Sequence, residues 1–522
     1  MSDDLTPASR PRRPRRTTLA EVVTWLEATV GTVEVHGDIT GVDVTGLTLA
    51  TQRVRPGDLY AALPGARAHG ADFAAAAVAH GAVAVVTDPA GAERLAGLAA
   101  PVLVVIDPRS LLGRLAAYLH GDPARAMRVI GVTGTQGKTT TTRLLESGLT
   151  AAGVRAAVIG TVGTRVAGDD VTTSLTTPEA PDLHGLFAMM RERDVAACAM
   201  EVSSHALVLG RVDGVVFDVA VFLNLGRDHL DFHADVEDYY RAKASLFTPR
   251  RTRLALVNLD DEHGRRLARE TAAAAVPVRT FSATGTGPGA DADWRAADVE
   301  LRADGSAFTV VGPSGSRIAA GCPIPGDFNV ANTLAAVAAA GEAGLDARAV
   351  AAGIAVGGGV PGRLERVDAG QDFVVVVDYA HKPDAVEAAI RTLRPLTAGR
   401  LLVVLGAGGD RDPGKRPIMA GIAARLADVL VVTDDNPRSE DPAAIRAAML
   451  AGTAAEPAEV LEVGGRRAAI REAIRRAGAG DIVLVAGKGH ETGQEVDGVV
   501  HPFDDRDVVR EELAARLEEA AP

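Results

Sequence analysis

Residues 130–149 read IGVTGTQGKTTTTRLLESGL and join a β-branched run to a helical pattern through a glycine-containing loop. At such a strand-to-helix turn, backbone N–H groups can surround a phosphate, and the ammonium of Lys138 can reach the terminal phosphate of a nucleotide. The hydroxyl of Thr139 would then be a Mg²⁺ ligand. The spacing departs from the strict G-x-x-x-x-G-K-[ST] pattern, because Val132 stands where the first glycine belongs. The segment still predicts a loop that binds a nucleoside triphosphate.

Short apolar runs that end in Gly, Asp or Asn, each followed by an alanine-rich helical stretch, recur along the chain. They are AVAVVTD (82–88), PVLVVID (101–107), RVIGVTG (128–134), DVAVFLNLG (218–226), RLALVNLDD (253–261), FVVVVDYAH (373–381), RLLVVLGAGG (400–409), DVLVVTDDN (428–436) and DIVLVAGKGH (481–490). Continuous hydrophobicity is typical of strands buried on both faces, as in parallel sheets covered by helices. We therefore predict an α/β fold with ligands beyond the carboxyl ends of the strands.

The length of 522 residues exceeds what one hydrophobic core usually serves, so we expect three domains. HGDPARAMR (120–128) precedes the phosphate-loop strand, and the glycine run VGGGVPGR (356–363) is typical of a linker. Domain boundaries are therefore predicted near residues 125 and 360. The stretch RPRRPRR (10–16) is not a signal sequence, because Glu21 and Glu27 follow where an uncharged apolar segment is needed. We expect a disordered tail there.

Composition excludes several classes of protein. The formal net charge of -13 gives no electrostatic footprint for nucleic acid or for an anionic membrane surface. No stretch approaches the ~18 uninterrupted apolar residues that a membrane-spanning helix needs. Cys198 and Cys322 lie far apart and form no metal-ligand or redox spacing. We expect both to be buried, reduced thiols in a cytoplasmic protein.

Two further segments place polar residues directly after apolar runs. CAMEVSSHAL (198–207) contains Glu201, whose carboxylate could bind Mg²⁺. The alternative is a charge at the start of a helix that Ser203 caps. NLGRDHLDFH (224–233) adds Asn224, Asp228, His229, Asp231 and His233, a set of polar side chains that we expect to lie near the nucleotide.

Ten sequence blocks, in this order, resemble the Mur ligase family over about residues 35–510. They are GVTGTQGKTTT, EVSSHAL, NLGRDHLDFH, YYRAKASLF, GDFNVAN, PGRLE, DYAHKPD, GAGGDRDPGKRPIM, DDNPRSEDP and GKGHE. The resemblance implies a basic tail and lead-in (1–30) and three domains. These are a UDP-sugar-binding domain (31–125), a central P-loop-type ATPase with a parallel sheet (126–358) and a C-terminal Rossmann-like amino-acid-binding domain (359–522).

The resemblance also implies amide-bond formation through an acyl phosphate, with ATP and Mg²⁺. The catalytic residues that it implies are Lys138, Glu201, His229 and Lys243. The metal ligands would be Thr139, Glu201, His229 and Lys243, the last as a carbamate (N6-carboxylysine). By the sequence alone, Lys243 in RAKASLF is an ordinary helix-surface lysine.

The implied ATP contacts come from several blocks. They are Gly134, Thr135, Gly137, Lys138, Thr139, Thr140, Asn329, Asn332, Arg363, Asp378 and His381. Arg363 would face the phosphates once the domains close. Two of these residues have structural alternatives, because Asn329 could cap a helix and Asp378 could end a strand in a turn.

The resemblance implies contacts to a UDP-sugar peptide in two regions. The matching residues are Thr45, Thr48, His69, Thr176, Thr177, Ser203 and Arg211. In the N-terminal region the family's usual D-S-R ahead of RPGDL is absent, which leaves the first three without a matching motif.

The block DDNPRSEDP (434–442) indicates which amino acid is added. Diaminopimelate carries a distal carboxylate that lysine lacks, and the planar fork of an arginine suits that group. The residues implied to bind it are Arg411, Asp435, Asn436, Arg438, Gly487 and Glu491. With lysine bound, we expect Arg438 to be a desolvated cation without a carboxylate partner. The alternative for Arg438 is a solvated turn residue after Pro437.

The implied substrates are therefore UDP-MurNAc-L-Ala-D-Glu, meso-diaminopimelate and ATP. We expect a cytoplasmic monomer that binds neither nucleic acid nor membrane. Three alternatives stay open: the same ligase with another diamino acid such as L-lysine, a folylpolyglutamate synthase-like ligase, and a nucleotide-gated binding protein without ligase activity. Folylpolyglutamate synthases lack DDNPRSE and GKGHE, and a binding protein would not need Lys243, His229 and Glu201 together.

Overall fold

The computed structural model describes residues 10–65, 67–302 and 304–519, and the chain divides into two compact units. The first unit holds the described residues up to Arg295 together with 312–315 and 334–353. The second holds 296–311, 316–333 and the residues from Ile354 onward. This division leaves the boundaries near residues 125 and 360 as predictions. Within the described residues, no helix is both long and apolar enough to cross a membrane.

The N-terminal part of the first unit contains seven strands and four helices. The strands are β1 (Thr17–Thr18), β2 (Glu34–His36), β3 (Asp43–Val44), β4 (Gly46–Thr48), β5 (Asp58–Ala62), β6 (Ala84–Thr87) and β7 (Val102–Val104). The helices are α1 (Leu19–Val30), α2 (Ala74–Ala79), α3 (Pro89–Arg94) and α4 (Pro108–Leu119). The main sheet has the order β2-β7-β6-β5-β4, and its strands β4 to β7 are parallel.

The remainder of the first unit carries the predicted phosphate loop. Its strands are β8 (Arg128–Thr133), β9 (Ala156–Ile159), β10 (Thr164–Val166), β11 (Asp169–Val171), β12 (Ala197–Glu201), β13 (Val219–Phe222), β14 (Ala255–Asn258) and β15 (Val278–Ser282). Its helices are α5 (Lys138–Ala151), α6 (Ala180–Glu192), α7 (Ser204–Val208), α8 (Val236–Ala244) and α9 (Glu262–Ala273). The sheet order is β11-β10-β9-β12-β8-β13-β14-β15, with β9, β12, β8, β13, β14 and β15 parallel. The strand β8 thus lies between β12 and β13, and their carboxyl ends meet at one edge.

One strand and two helices carry the chain between the two units: β16 (Trp294–Arg302), α10 (Asp327–Glu342) and α11 (Ala347–Ala355). In the second unit, β17 (Gly305–Val311) and β18 (Arg317–Cys322) form an antiparallel pair. Cys198 and Cys322 are buried and free, as predicted.

The rest of the second unit is built around a six-stranded sheet. Its strands are β19 (Glu365–Val367), β20 (Val374–Asp378), β21 (Leu401–Ala407), β22 (Val429–Asp434), β23 (Glu459–Glu462) and β24 (Ile482–Ala486), followed by the hairpin β25 (Gly493–Val496) and β26 (Val499–Pro502). The helices are α12 (Pro383–Leu393), α13 (Lys415–Leu426), α14 (Pro442–Leu450), α15 (Arg466–Arg476) and α16 (Asp505–Glu519). The order is β19-β20-β24-β21-β22-β23, and all strands but β19 are parallel. The α/β fold with parallel sheets is confirmed.

The prediction of a disordered tail is wrong for residues 10–16. Arg10 is buried and donates to both carboxylate oxygens of Asp58, at 2.6 and 2.7 Å, and to the carbonyl of Leu47. The backbone N–H groups of Arg12 and Arg13 donate to Glu192 at 2.8 and 2.7 Å. Paired charges and satisfied backbone groups hold this segment in place, and both depend on residues far away in the sequence. Residues 1–9 of the predicted tail lie outside the described part of the chain.

Candidate active site

The predicted phosphate loop connects the end of β8 to the start of α5. Gly137 precedes the helix with φ of +86°, a conformation that side chains rarely adopt. The Nζ atom of Lys138, the first helical residue, donates to the carbonyls of Gly134 at 2.7 Å and Thr135 at 3.1 Å. Thr139 and Thr140 follow in the first turn and are buried. The strand, loop and helix predicted from residues 130–149 are therefore all present.

Asn224, which follows β13, holds the phosphate loop from the neighbouring strand. Its side-chain oxygen accepts from the backbone N–H groups of Thr135 at 3.1 Å and Gln136 at 2.9 Å, and its amide donates to the carbonyl of Gln136 at 3.2 Å. The sequence indicated polarity at this strand end but not this role. The available signal was an amide residue directly after a strand next to β8.

Glu201 ends β12 and is buried, with 1% of its surface exposed. Its Oε1 atom accepts from the hydroxyl of Thr139 at 2.9 Å and the N–H of Thr161 at 2.8 Å. A Cβ atom at Gly160 would lie 2.3 Å from Oε1, so this approach requires glycine. Ser203 caps α7, as the alternative proposed, but the carboxylate of Glu201 turns inward to Thr139 rather than serving as a helix charge.

Lys243 lies on α8 but does not face solvent, so the description of it as a surface lysine is wrong. Only 1% of its surface is exposed, and its Nζ atom donates to the carbonyl of Gly134 at 2.9 Å. The ring of Tyr239 lies 4.5 Å from the same nitrogen. Burial, together with the charge of Lys138, lowers the pKa of Lys243 well below its ordinary value, although Asp228 opposes this shift.

His229 lies in the loop after β13, at φ of +54°. Its Nε2 atom is 3.4 Å from the carboxylate of Asp228, and its ring packs edge-on against His205, with 4.9 Å between centroids. The ring of Tyr239, which Lys243 also contacts, is 6.0 Å away. Among the described residues, no group of three or more His, Cys, Asp or Glu side chains is arranged to hold a metal ion.

Four of the predicted UDP-substrate residues lie around Glu201. Thr177 donates to the backbone carbonyl of Glu201 at 2.8 Å, and the hydroxyl of Thr176 is 3.1 Å from that of Thr161. Ser203 donates its N–H to Thr177 at 3.3 Å. Arg211 joins them, donating to the carbonyl of Thr177 at 3.4 Å and to the carboxylate of Glu179 at 2.9 Å.

The three N-terminal residues predicted to bind the UDP-substrate make hydrogen bonds within the N-terminal part. Thr45 donates to the carbonyl of Pro56 at 3.5 Å, and Thr48 to that of Ala50 at 3.4 Å. His69 caps a short helical turn through Nδ1, and its Nε2 atom lies 3.1 Å from Asp88. These contacts give the three side chains structural roles within the N-terminal part.

In the second unit, Asp378 ends β20 and accepts from the backbone N–H groups of Leu364 and Ala380, both at 2.8 Å. Burial raises the pKa of Asp378, and the positive charge of Arg363 opposes that shift. The guanidinium of Arg363 lies 4.7 Å from the ring of Tyr379, and its buried Nε atom has no hydrogen-bond partner among the described residues.

The remaining nucleotide candidates of the second unit also have local partners. The Nδ1 atom of His381 donates to the carbonyl of Tyr379 at 2.8 Å, and burial lowers the pKa of His381. Asn329 donates to the carbonyl of Pro325 at 2.7 Å and accepts from Asn332 at 3.1 Å. Asn329 lies within α10 rather than before it, so its side chain is not a cap at the start of that helix.

The predicted diaminopimelate residues meet where β24 and β22 end in the second unit. The side chain of Asn436 accepts from the Nζ atom of Lys488 at 3.0 Å and donates to Glu491 at 2.9 Å. Lys488 is fully buried and also donates to Glu491 at 3.1 Å. Sequence analysis missed Lys488, although it lies inside GKGHE. Gly487 precedes Lys488 and has φ of +123°. A Cβ atom at position 487 would lie 2.6 Å from the Oδ2 atom of Asp435, so the absence of a side chain lets Asp435 approach this closely.

Arg438 is neither the solvated turn residue nor the unpaired cation that the sequence suggested. Its Nε atom donates to Glu495 at 3.1 Å, and its Nη1 atom donates to the carbonyl of Gly409 at 2.7 Å. The charge already has a carboxylate partner because the hairpin β25–β26 pairs with this loop at Val496. Arg411 is exposed and donates to the carbonyl of Asp410 at 3.2 Å.

Three family models match: the Mur ligase middle domain at residues 132–340, the glutamate ligase domain of Mur ligases at 362–489, and the catalytic domain of the Mur ligase family at 43–120. They cover most of the chain.

Individual relatives match nearly end to end. A UDP-N-acetylmuramoyl-L-alanyl-D-glutamate–2,6-diaminopimelate ligase of Streptomyces avermitilis is 60% identical over 90% of this chain and 92% of its own. The ligase of the same name from Streptomyces coelicolor is 57% identical over 97% of this chain and 98% of its own. A solved structure of a ligase of that name superposes with a TM-score of 0.67 at 34% identity, covering 94% of this chain and 98% of that one. The chain belongs to the Mur ligase family.

Proposed function

We propose that this protein is an ATP-dependent ligase that adds meso-diaminopimelate to UDP-MurNAc-L-Ala-D-Glu in the synthesis of peptidoglycan precursors. The observation that carries the proposal is the cluster of Asn436, Lys488 and Glu491 beside Arg438, on a chain that also holds a nucleotide loop. The names of the relatives, at up to 60% identity, support the same activity.

ATP binds at the loop between β8 and α5 in this proposal. Its backbone N–H groups and the helix start suit phosphates, and Lys138 supplies positive charge. The contacts proposed for ATP remain those inferred from the sequence: Gly134, Thr135, Gly137, Lys138, Thr139, Thr140, Asn329, Asn332, Arg363, Asp378 and His381. Support for Arg363 comes from its buried Nε atom without a partner, because an arginine beside phosphates would satisfy that donor.

Thr139 and Glu201 fit a Mg²⁺ ion, because a hydroxyl and a carboxylate oxygen converge within 2.9 Å. Mg²⁺ is usually held by one or two protein oxygens, with phosphate and water oxygens around it. When bound, the ion neutralises charge on the phosphates. We propose Glu201, His229 and a carbamate on Lys243 as ligands of a second ion. Burial lowers the pKa of Lys243 and so favours the amine, which would add CO₂ and lose a proton to become the carbamate anion.

The reaction proceeds through an acyl phosphate. The terminal carboxylate of UDP-MurNAc-L-Ala-D-Glu attacks the γ-phosphorus of ATP, the bond to ADP breaks, and a mixed anhydride forms. The amine of diaminopimelate then attacks the acyl carbon, and phosphate leaves with the former carboxylate oxygen. Lys138 balances the negative charge that both reactants bring to the first step.

The UDP-substrate is proposed to meet Thr176, Thr177, Ser203 and Arg211. Thr177 bonds to the backbone of Glu201 and accepts from Ser203 and Arg211, while Thr176 pairs with Thr161, which itself donates to Glu201. A substrate that these residues hold would therefore lie next to the proposed metal. Thr45, Thr48 and His69 remain proposed contacts for the uridine end. Their hydrogen bonds within the N-terminal part are an alternative explanation for these residues.

Diaminopimelate is proposed to bind Arg411, Asp435, Asn436, Arg438, Gly487 and Glu491. The buried Oδ2 atom of Asp435 has no hydrogen-bond partner among the described residues, which suits an ammonium donor. Lys488 and the backbone N–H of Glu495 both donate to the side-chain oxygen of Asn436. The side-chain NH₂ group of Asn436 is therefore directed to Glu491. This arrangement offers acceptors for the distal ammonium near a cation for the distal carboxylate.

We further propose domain boundaries near residues 125 and 360, supported by the gaps between the matched family models. We propose a cytoplasmic location, because the reaction consumes ATP. The proposed partners are the small-molecule substrates of this reaction. We propose that the protein acts as a monomer, because the residues assigned to every step lie on one chain.

Phosphate release from ATP tests this function. We expect release that depends on both UDP-MurNAc-L-Ala-D-Glu and meso-diaminopimelate, and that Lys138→Ala abolishes without unfolding the protein. Release stimulated by a folate and glutamate would instead support the folylpolyglutamate synthase alternative. Nucleotide binding without any release would support a nucleotide-gated binding protein.

A further inference from the structure

Glu495 lies on β25, four residues beyond the GKGHE block, and is tied to the loop that carries Arg438. Its side chain accepts from the Nε atom of Arg438 at 3.1 Å. Its backbone carbonyl accepts from the N–H of Arg438 at 3.0 Å, and its own N–H donates to the side chain of Asn436 at 3.0 Å. Three hydrogen bonds therefore fix Glu495 against two of the residues proposed to bind diaminopimelate.

The neighbouring residues hold the same hairpin in place. Gln494 donates to the carbonyl of Asp435 at 2.5 Å, and the N–H of Asp497 donates to the carbonyl of Arg438 at 2.7 Å. Arg438 itself has φ of +53°, a backbone conformation that these contacts stabilise. The carboxylate of Glu495 thus keeps a fixed position next to the guanidinium.

The hydrogen bonds of Arg438 leave one side of its guanidinium available. Nε is directed to Glu495, and one hydrogen of Nη1 to the carbonyl of Gly409 at 2.7 Å. Nη2 makes no hydrogen bond among the described residues, so it can still donate to a substrate carboxylate. The Arg438 side chain is 21% exposed and that of Glu495 is 39% exposed. Their charges are therefore only partly screened by water.

We infer that Glu495 is a positioning residue that sets how strongly this site discriminates between amino acids with and without a distal carboxylate. It orients the guanidinium of Arg438, and it also compensates the positive charge while no substrate carboxylate is present. The inference rests on the proposed function of Arg438 as the partner of the distal carboxylate.

This charge compensation affects the two amino acids in opposite directions. For diaminopimelate, the negative charge of Glu495 weakens the attraction between Arg438 and the distal carboxylate. For lysine, it prevents the ε-ammonium from meeting an uncompensated cation. Glu495 therefore lowers the ratio of kcat/KM for diaminopimelate to kcat/KM for lysine below the value that Arg438 alone would give.

Glu495→Gln tests the inference, because the amide keeps an acceptor for Nε but removes the charge. We expect the diaminopimelate-to-lysine ratio of kcat/KM to rise about two- to fivefold, the range of a partly exposed charge pair. The KM values for ATP and for the UDP-substrate should not change. Glu495→Asp, which keeps the charge, should leave the ratio near that of the wild type.

Asp497→Asn is the matched control, since it removes the same charge from the same hairpin at an exposed side chain. Its ratio should equal that of the wild type. An unchanged or lower ratio in Glu495→Gln overturns the inference while leaving the proposed function intact. A wild type that uses lysine as well as diaminopimelate would instead overturn the proposed function of Arg438.

Discussion

Lys138 and Lys243 direct their side-chain nitrogens to the same backbone oxygen, the carbonyl of Gly134, at 2.7 and 2.9 Å. Two ammonium groups on one acceptor repel each other, and Lys243 is the one that burial removes from water. The pKa of Lys243 is lowered accordingly. Burial and the neighbouring charge thus both disfavour the ammonium form of Lys243, the residue proposed to carry the carbamate.

For Lys243, we expect substitution by Ala to lower kcat at least about a hundredfold, because an anion among metal ions and phosphates would be missing. Added formate or acetate should restore part of the activity by occupying the space of the carbamate. The measurement is kcat with and without the acid. Lys243→Arg serves as the control, since it fills the space with a permanent cation and should show no rescue. A fully active Lys243→Ala would refute this role.

The loop anchor gives a second prediction. Asn224→Ala removes the side-chain hydrogen bonds to both backbone groups of Gln136 and one of the two acceptors of the Thr135 N–H, which keeps the backbone carbonyl of residue 224. Each lost hydrogen bond is worth about 0.5–1.5 kcal/mol. We expect the KM for ATP to rise at least about tenfold, while the KM for diaminopimelate stays unchanged. Steady-state kinetics with each substrate varied in turn will show this. Equal effects on both KM values would contradict an anchor specific to the phosphate loop.

A third prediction concerns Arg438. Because Glu495 already compensates the charge of Arg438, we expect lysine binding to be less unfavourable than it would be beside an unpaired buried arginine. We expect a preference for meso-diaminopimelate over L-lysine of about 30- to 150-fold, which corresponds to ~2–3 kcal/mol. Arg438→Ala should remove most diaminopimelate activity and keep the KM values for ATP and the UDP-substrate. Retention of the preference in this variant would show that another residue provides it.

The buried His120 predicts how stability depends on pH. Neither ring nitrogen has a hydrogen-bond partner among the described residues, and burial, with His184 and nearby arginines, lowers the pKa of His120 to about 3. His120 binds a proton below pH ~6.5 in the unfolded chain, but only below about pH 3 in the folded chain. The stability contributed by neutral His120 is therefore complete above pH ~6.5 and falls as pH decreases, by ~2 kcal/mol at pH 5.

Between pH 6.5 and 4.5, we expect the Tm of the first unit to decrease less in His120→Leu than in the wild type, as measured by calorimetry. The same replacement at the exposed His501 is the control and should leave the pH dependence unchanged. A wild-type and a His120→Leu protein with parallel Tm profiles would contradict the assignment of a buried neutral histidine.

Local sequence signals predicted the fold class and the phosphate loop, because apolar runs and the Gly-Lys-Thr pattern act over a few residues. The same analysis gave Lys243 as exposed, since its burial depends on how α8 packs against the loop at Gly134. The sequence did not indicate that Asn224 holds the phosphate loop, because this contact requires β13 to lie next to β8. The Arg438–Glu495 pair joins residues 57 positions apart, which no local pattern reports.

The central claim is tested most directly by identifying the product of a competition. The protein is incubated with ATP, UDP-MurNAc-L-Ala-D-Glu and equimolar meso-diaminopimelate and L-lysine, and the UDP-linked products are measured by mass spectrometry. We predict a tripeptide product that contains diaminopimelate almost exclusively, formed with equal amounts of ADP and phosphate. A product that contains lysine in comparable amount, or ADP formation without any ligated product, would contradict the account.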